Sequence, residues 1–594
     1  MSGTFRQMSD WLEERTGWPS ALRAWLDHPV AGGAPWAAAI GASVATCFAI
    51  LALTGLALMT AYAPSPQTAW ASVHYVQFVQ DRGWIVRGLH HWASEGLLVL
   101  AVVHVAYGAM SASYRKPREV AWWLTLGVIA VVAGECITGG VLPWDERGWW
   151  ARVVEGNIIG LAPGIGGWLQ RMLQGGTELG ALGLTRLYTI HVLVLPVLLA
   201  AMIGGRAALV RRHGWSDERA TTARWGAHLA RGLVLGALVV TAIFAATGAT
   251  HGAPLEAPAD PLGDYPARPE WYLMPLYELR KLFHGAGEFF GTTLAPAVAG
   301  LYLALLPWIE KRLRRPLLRV GVVAIFAGAV GLGLVASQRD AHDRGYLKQR
   351  ASADLRAAAA SKLAMGGVPP EGALAMLRAD PDLRGRDLFA QHCASCHLLE
   401  NLGDPEKATA TKLDGWGTAT WIEAMIHDPD ATAHFGRGPY KGKMPSVDQR
   451  PSDKANDGTE KWKPMVKSEA DRHAVAVFLA SLGDEPGDPP TSIDDATRAT
   501  GDKIVSGPCS TCHLYKGDGD LEGSDEAPEL ARYGSLAWTR SQVANPATDD
   551  TYRKNALDES LKKHMPRFDQ DLSPADVELV ARWTRAHGRG LSLP

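Results

Sequence analysis

Long apolar runs alternate with short polar ones over the first 337 residues of the chain, and then the alternation stops. Seven runs, near residues 35–62, 84–110, 120–142, 186–210, 230–249, 292–308 and 317–337, are long enough to cross a bilayer, which takes roughly 20 residues per helix. Beyond them the sequence turns polar and rich in Asp and Lys, with amphipathic helical segments such as SEADRHAVAVFLASL (468–482) and LSPADVELVARWTRA (572–586). The pattern predicts a mainly α protein: a seven-span transmembrane helical bundle followed by two small soluble α-helical folds. A length of 594 residues agrees, being too great for one domain.

Charge orients the bundle. RKPRE (115–119), RRHGWSDERATTARWGAHLAR (211–231) and EKRLRR (310–315) follow the second, fourth and sixth spans, and short basic loops stay cytoplasmic. The N-terminus is therefore expected inside, with the 143–185 and 250–291 loops and everything after the seventh span outside. MSDWLEERTGWPSALRAWLDHP (8–29) reads as an amphipathic helix on the cytoplasmic surface and not as a cleavable signal. The net charge of −2 averages over unlike parts and selects no partner. Membrane lipid is required by the spans, and no nucleic acid is expected.

Four of the six cysteines fall in CASCH (Cys393, Cys396, His397) and CSTCH (Cys509, Cys512, His513). C-x-x-C-H is the attachment signature of c-type haem: two thiols form thioethers and the adjacent His binds iron. A distal Met raises the potential of such a haem. Met444, in KMP, lies 47 residues beyond His397, and Met565, in HMP, lies 52 beyond His513. Each is therefore assigned to the motif that precedes it, with Met465 as a rival to Met444. WGTATWIEAMIHDPDA (416–431) also matches YGSLAWTRSQVANPAT (533–548), which marks an internal repeat. The region resembles the dihaem cytochromes c.

His90 and His104, in the second span, are fourteen residues apart. That is nearly four turns, so they share one helix face at a separation of about 21 Å, the spacing for two haems stacked across a membrane. DWLEER, WIVRGLHHW, YRKPRE, TGGVLPWDERGWW, TRLYTIHVLVLP and RPEWYLMPLYELRK then follow in order. These motifs, spread over residues 8–337, resemble the landmarks of cytochrome b from the bc and plastoquinol-type bf oxidoreductases. The seven spans look like the bf pair of a four-helix and a three-helix polypeptide, fused to each other and to the dihaem region.

The resemblance implies an outer haem b held by His90 and His191, with Arg87 also among the cofactor-binding residues, and an inner haem b on His104. It implies quinone or quinol at Pro269, Glu270, Trp271 and Tyr272, where Glu270 takes a quinol proton. The first electron would go to a Rieske iron-sulfur protein, the second to outer haem b. Only Cys47 and Cys136 remain, both within spans, so the Rieske protein must be a separate chain. The implied activity is that of a quinol–cytochrome c reductase subunit of the respiratory electron-transport chain. The alternative is a wiring module passing electrons between an external redox enzyme and the quinone pool. Other complex subunits, a soluble cytochrome c or terminal oxidase, a dimer and the bacterial cytoplasmic membrane are implied with it.

One ligand is missing. A fourth-span partner for His104 would lie fourteen or fifteen residues after His191, where Gly205 and Arg206 stand, and a guanidinium is no haem ligand. His213 and His228 are poorly placed substitutes. Three readings stay open: an inner haem five-coordinate through His104, no inner haem with Arg206 in part of its place, or a ligand from another subunit. Glu95 and Glu135, acids within spans at similar depth, are unassigned, and a proton shared between them is one reading. The expected domains are a cytoplasmic segment (1–34), a four-helix haem b domain (35–215), a three-helix part with the PEWY loop (216–340), a linker (341–377) and cytochrome c domains at 378–488 and 489–594.

Overall fold

The computed structural model describes residues 3–32, 35–215, 222–447, 451–454, 460–462, 466–516, 521–523, 527–548, 551 and 564–591. Met465 lies outside them. The chain is mainly helical and divides into two units, 1–377 and 378–594. Among the described residues, seven helices of the first unit are long and apolar enough to cross a membrane: Trp36–Met59, Gly83–Met110, Glu119–Gly140, Ala181–His213, Trp225–Thr250, Phe290–Ile309 and Arg315–His342. The chain is a multi-pass membrane protein.

The first four spans form the bundle, and the fifth packs against the first and second. Its core is purely apolar at mid-depth, with Val44, Cys47, Leu97, Val132 and Leu199 buried together. The opposite faces leave Leu53, Leu56, Leu233 and Val320 uncovered, as a surface that meets acyl chains requires. The sixth and seventh spans join at the basic end, where Leu303, Leu306, Leu318 and Val322 pack on Trp122 and Val105. Arg115 of the RKPRE loop pairs there with Glu310 at 2.5 Å.

Proline shapes the fourth span. Pro196 has no N–H to donate and crowds the preceding turn. The helix widens to a π turn over Ile190–Val194, and His191 sits in that turn. The same device, over Phe290–Leu294, precedes Pro296 in the sixth span.

At the other end, helices Glu146–Gly160 and Gly166–Gln174 fill the 143–185 loop. They meet the 250–291 loop through backbone bonds from Glu146 to Ala257 and from Ala259 to Trp144. The 341–377 stretch, expected as a linker, is largely the helix Arg344–Ala364. It docks on this end through Arg350 to Glu256 at 2.7 Å and through Arg356 to Glu146 and Asp260, both at 3.6 Å. The N-terminal segment forms two helices, Gly3–Thr16 and Trp18–Leu26, where one was expected. Gly17 adopts φ 61° and Pro19 follows, so the chain turns between them.

The second unit repeats one series of elements twice. A lead helix (Pro381–His392; Asp495–Ser506) precedes each CxxCH motif. A distal helix (Ala419–His427; Leu536–Ala544) and a closing helix (Glu469–Leu482; Pro574–Arg589) follow. The first lead helix packs on the second closing helix, and the second lead helix on the first closing helix. The boundary expected at 488/489 therefore runs between the two members of each packing pair.

Candidate functional site

His90 and His191 face each other from the second and fourth spans with ring centres 6.3 Å apart. Two collinear metal–imidazole bonds of about 2 Å would place ring centres about 6 Å apart, so one iron fits between these rings. Thr54 lies 2.9 Å from Nδ1 of His90. Glu135 and Thr138 lie 2.8 and 3.2 Å from Nδ1 of His191. With Nδ1 engaged, each ring offers Nε2 to a metal. Space for a flat macrocycle comes from glycine: a Cβ on Gly55 would stand 3.3 Å from His90, and one on Gly139 only 2.7 Å from His191. Both rings line a cavity of about 450 Å³, and a haem fits this site.

The inner location differs in kind. His104 is buried, and neither of its ring nitrogens has a hydrogen-bond partner among the described residues. Arg206 projects into the place beside it, donates from Nε to the Thr125 hydroxyl at 2.7 Å and lies 5.5 Å from the Trp215 ring centre. A Cβ on Gly41 would stand 3.2 Å from the guanidinium and 3.4 Å from His104. The space left between these groups is about 20 Å³, room for one water, whereas a ligand of haem size needs at least roughly 300 Å³. These residues do not fit a haem. His228 packs at a tilt against Trp215 and Trp225, with ring centres 4.8 and 5.1 Å away.

The sequence carries an inconspicuous signal for this difference. Gly41 and Gly55 are fourteen residues apart, as are Thr125 and Gly139. Each of these spans thus carries an outer and an inner position at the His90/His104 spacing, and Thr125 stands where the outer site has glycine. Thr54 and Arg147 have no such signal, and only the fold brings them to the site.

The same outer cavity is lined by Glu95, Glu135, Arg147, Glu270 and Tyr272. Glu270 accepts hydrogen bonds from Arg147, at 2.8 Å from Nη2 and 3.2 Å from Nε. Trp271 donates to Glu95 at 2.6 Å, and Pro269 is buried. Glu95 and Glu135 meet different partners, Trp271 and His191. The Tyr272 hydroxyl is buried without a partner among the described residues, and burial raises its pKa far above the ordinary phenol value. Arg87 spends its guanidinium on Gln77 and the carbonyls of Ala253 and Pro254, tying the second span to the PEWY loop. Just outside, burial beside Glu256 holds the Asp145 carboxyl up at about 6, and burial holds Glu146 at about 7.

In the second unit, His397 and His513 each turn Nδ1 to a backbone carbonyl, Thr411 at 2.8 Å and Pro528 at 2.7 Å. Burial lowers the pKa of both, favouring the neutral ring a metal requires. Nε2 of each is left for iron beside its cysteine pair, so the motifs fit covalent haem. Cys393 and Met565 border one apolar core. Met444 borders the other together with Tyr515, two residues beyond His513.

A bundle that frames a bis-histidine cavity, joined to a unit with two CxxCH motifs, defines a membrane haem protein of the electron-transfer class. The model of the family Cytochrome b/b6/petB matches residues 27–214, and that of Cytochrome c matches 383–483. Cytochrome b6 of Chlamydomonas reinhardtii is 34% identical over 179 residues, 30% of this chain and 82% of that protein. Cytochromes b6 of Emiliania huxleyi and Euglena gracilis are each 32% identical over the same shares, across 177 and 179 residues. A solved structure described as "Hyperthermophilic respiratory Complex III" aligns with 55% of this chain and 91% of its own, at 23% identity and a TM-score of 0.49. The chain belongs to the cytochrome b/b6 family, with a cytochrome c region in the same polypeptide.

Proposed function

We propose that this bc-type electron-transfer subunit oxidises quinol at the outer end of the bundle and works as a quinol–cytochrome c reductase. The carrying observation is that Glu270 and Tyr272 open on the same cavity as His90 and His191. Quinol bound there would give a proton to Glu270, which Arg147 orients, and accept a hydrogen bond from Tyr272. A haem between His90 and His191 supplies one-electron acceptance. The other electron leaves through a separate Rieske protein to haems on Cys393/Cys396 and Cys509/Cys512, then to a soluble cytochrome c or terminal oxidase. The orientation argued from the basic loops puts this site and the c unit outside a bacterial cytoplasmic membrane, in a dimeric complex with further subunits.

Replacing Glu270 with Gln should slow quinol-driven reduction of the haems c by roughly 10²-fold or more, the ordinary worth of a positioned base, with haem content unchanged. An unaltered rate with the Rieske partner present would overturn the assignment.

A second reading has one observation behind it. With the inner location filled by Arg206 and Thr125, we propose one haem b per chain and no two-haem path across the membrane. Such a chain could also wire an external redox enzyme to the quinone pool. Reduction of the haems c by quinol only when Rieske protein is added separates the two readings.

A further inference from the structure

The repeats of the second unit are intertwined, and the crossings can be located in the cores. Leu413 borders the core that holds Phe389, Val580 and Trp583, whereas Ala419, six residues on, borders the core that holds Val475, Phe478 and Val505. The chain crosses back between Tyr533, on the latter core, and Leu536, on the former. The matching WGTATW and YGSLAW segments form these crossings. The Trp416 ring stands 5.8 Å from both Tyr533 and Trp538, and Gly417 and Gly534 take φ of 78° and 77°, open to glycine at little cost.

Both helix crossings repeat the same close contact, each time between repeats. A Cβ on Gly385 of the first lead helix would lie 2.5 Å from Cβ of Trp583 in the second closing helix. A Cβ on Gly501 of the second lead helix would lie 2.5 Å from Cβ of Phe478 in the first closing helix. Arg585 fastens the exchange, donating to the carbonyls of Gly534 at 3.0 Å and Gly483 at 2.5 Å.

The methionines travel with the closing helices. Met565, whose sulfur accepts from Gln542 at 3.4 Å, lies on the core bordered by Cys393 and Ala394. Met444 lies on the core that contains Tyr515 and Val505, which flank the Cys509–His513 motif. We infer that the haem c sites exchange distal ligands: the haem on Cys393, Cys396 and His397 takes Met565, and the haem on Cys509, Cys512 and His513 takes Met444. This reverses the assignment by order along the chain. It does not depend on where quinol is oxidised.

The test removes one haem and asks which methionine serves the other. In the full chain carrying Cys509→Ala and Cys512→Ala, a single haem c remains on Cys393 and Cys396. Exchange predicts that Met565→Ala abolishes its near-infrared Met-to-iron band while Met444→Ala leaves the band. Loss with Met444→Ala alone, or with neither, overturns the inference. The reciprocal background, Cys393→Ala with Cys396→Ala, should give the mirror result. If both substitutions remove the band, or a background fails to fold, a protease site inserted between 484 and 494 of the otherwise unchanged chain decides. Separated pieces that have lost the band support exchange, and pieces that each keep it overturn it.

Discussion

Restoring an inner haem site should take two substitutions. Arg206→His alone supplies a second imidazole near His104, but leaves Thr125 where the outer site has glycine. Thr125→Gly alone removes the partner that Arg206 holds at 2.7 Å and leaves the guanidinium in place. The structure sets the size of the change required: about 20 Å³ is free at the inner location against about 450 Å³ at the outer one, more than a twentyfold difference. The unmodified chain should therefore give a pyridine haemochrome ratio of one haem b to two haems c. Each single variant should keep that ratio, and Thr125→Gly with Arg206→His should move it toward two to two, with a second low-spin b component on reductive titration. Two haems b in the unmodified chain, or a second haem b after Arg206→His alone, would refute this reasoning.

Further outcomes follow from the same geometry. Gly139→Val should abolish low-spin haem b while sparing the haems c, because even a Cβ would stand 2.7 Å from the His191 ring; an unchanged b spectrum would contradict this. Gly385→Val should destabilise the c unit by about 1–3 kcal/mol, as overpacking against Trp583 does elsewhere, and thermal melting followed at the haem c band measures it. Asp145 and Glu146, raised to about 6 and about 7, bind more protons folded than unfolded, so their penalty is absent below about pH 4 and complete above about pH 7. The membrane unit should thus melt at higher temperature at pH 5 than at pH 8. Glu146→Gln should flatten that dependence, and an opposite slope would exclude it.

Signals carried by a single helix or a short motif are legible in the sequence alone. The seven spans, the His90/His104 pair and the two CxxCH motifs declare themselves through run length, spacing or residue type, and His191 through the family resemblance. What needed the fold was register between segments. Thr125 is an unremarkable polar residue until the third span is set beside the fourth and its hydroxyl meets Arg206. The helix Arg344–Ala364 marks its buried face only with small residues, Ala353, Ala360 and Ala364, and ion pairs to Glu256, Glu146 and Asp260 hold it. The pairing of lead and closing helices was hidden for the opposite reason. Both repeats present the same small residue to the same kind of aromatic, so local sequence is equally compatible with either partner.

Helix exchange also fixes the order in which the protein can be made. When synthesis has reached residue 488, the first lead helix still lacks Pro574–Arg589, and the first closing helix still lacks Asp495–Ser506. Neither crossing can close on a nascent chain until the second repeat has emerged, and contacts between residues some 200 positions apart, such as Gly385 with Trp583, must wait for the last helix. Assembly of this unit is accordingly slow in the manner of high contact order, and a chain that stops at residue 488 has closed neither crossing.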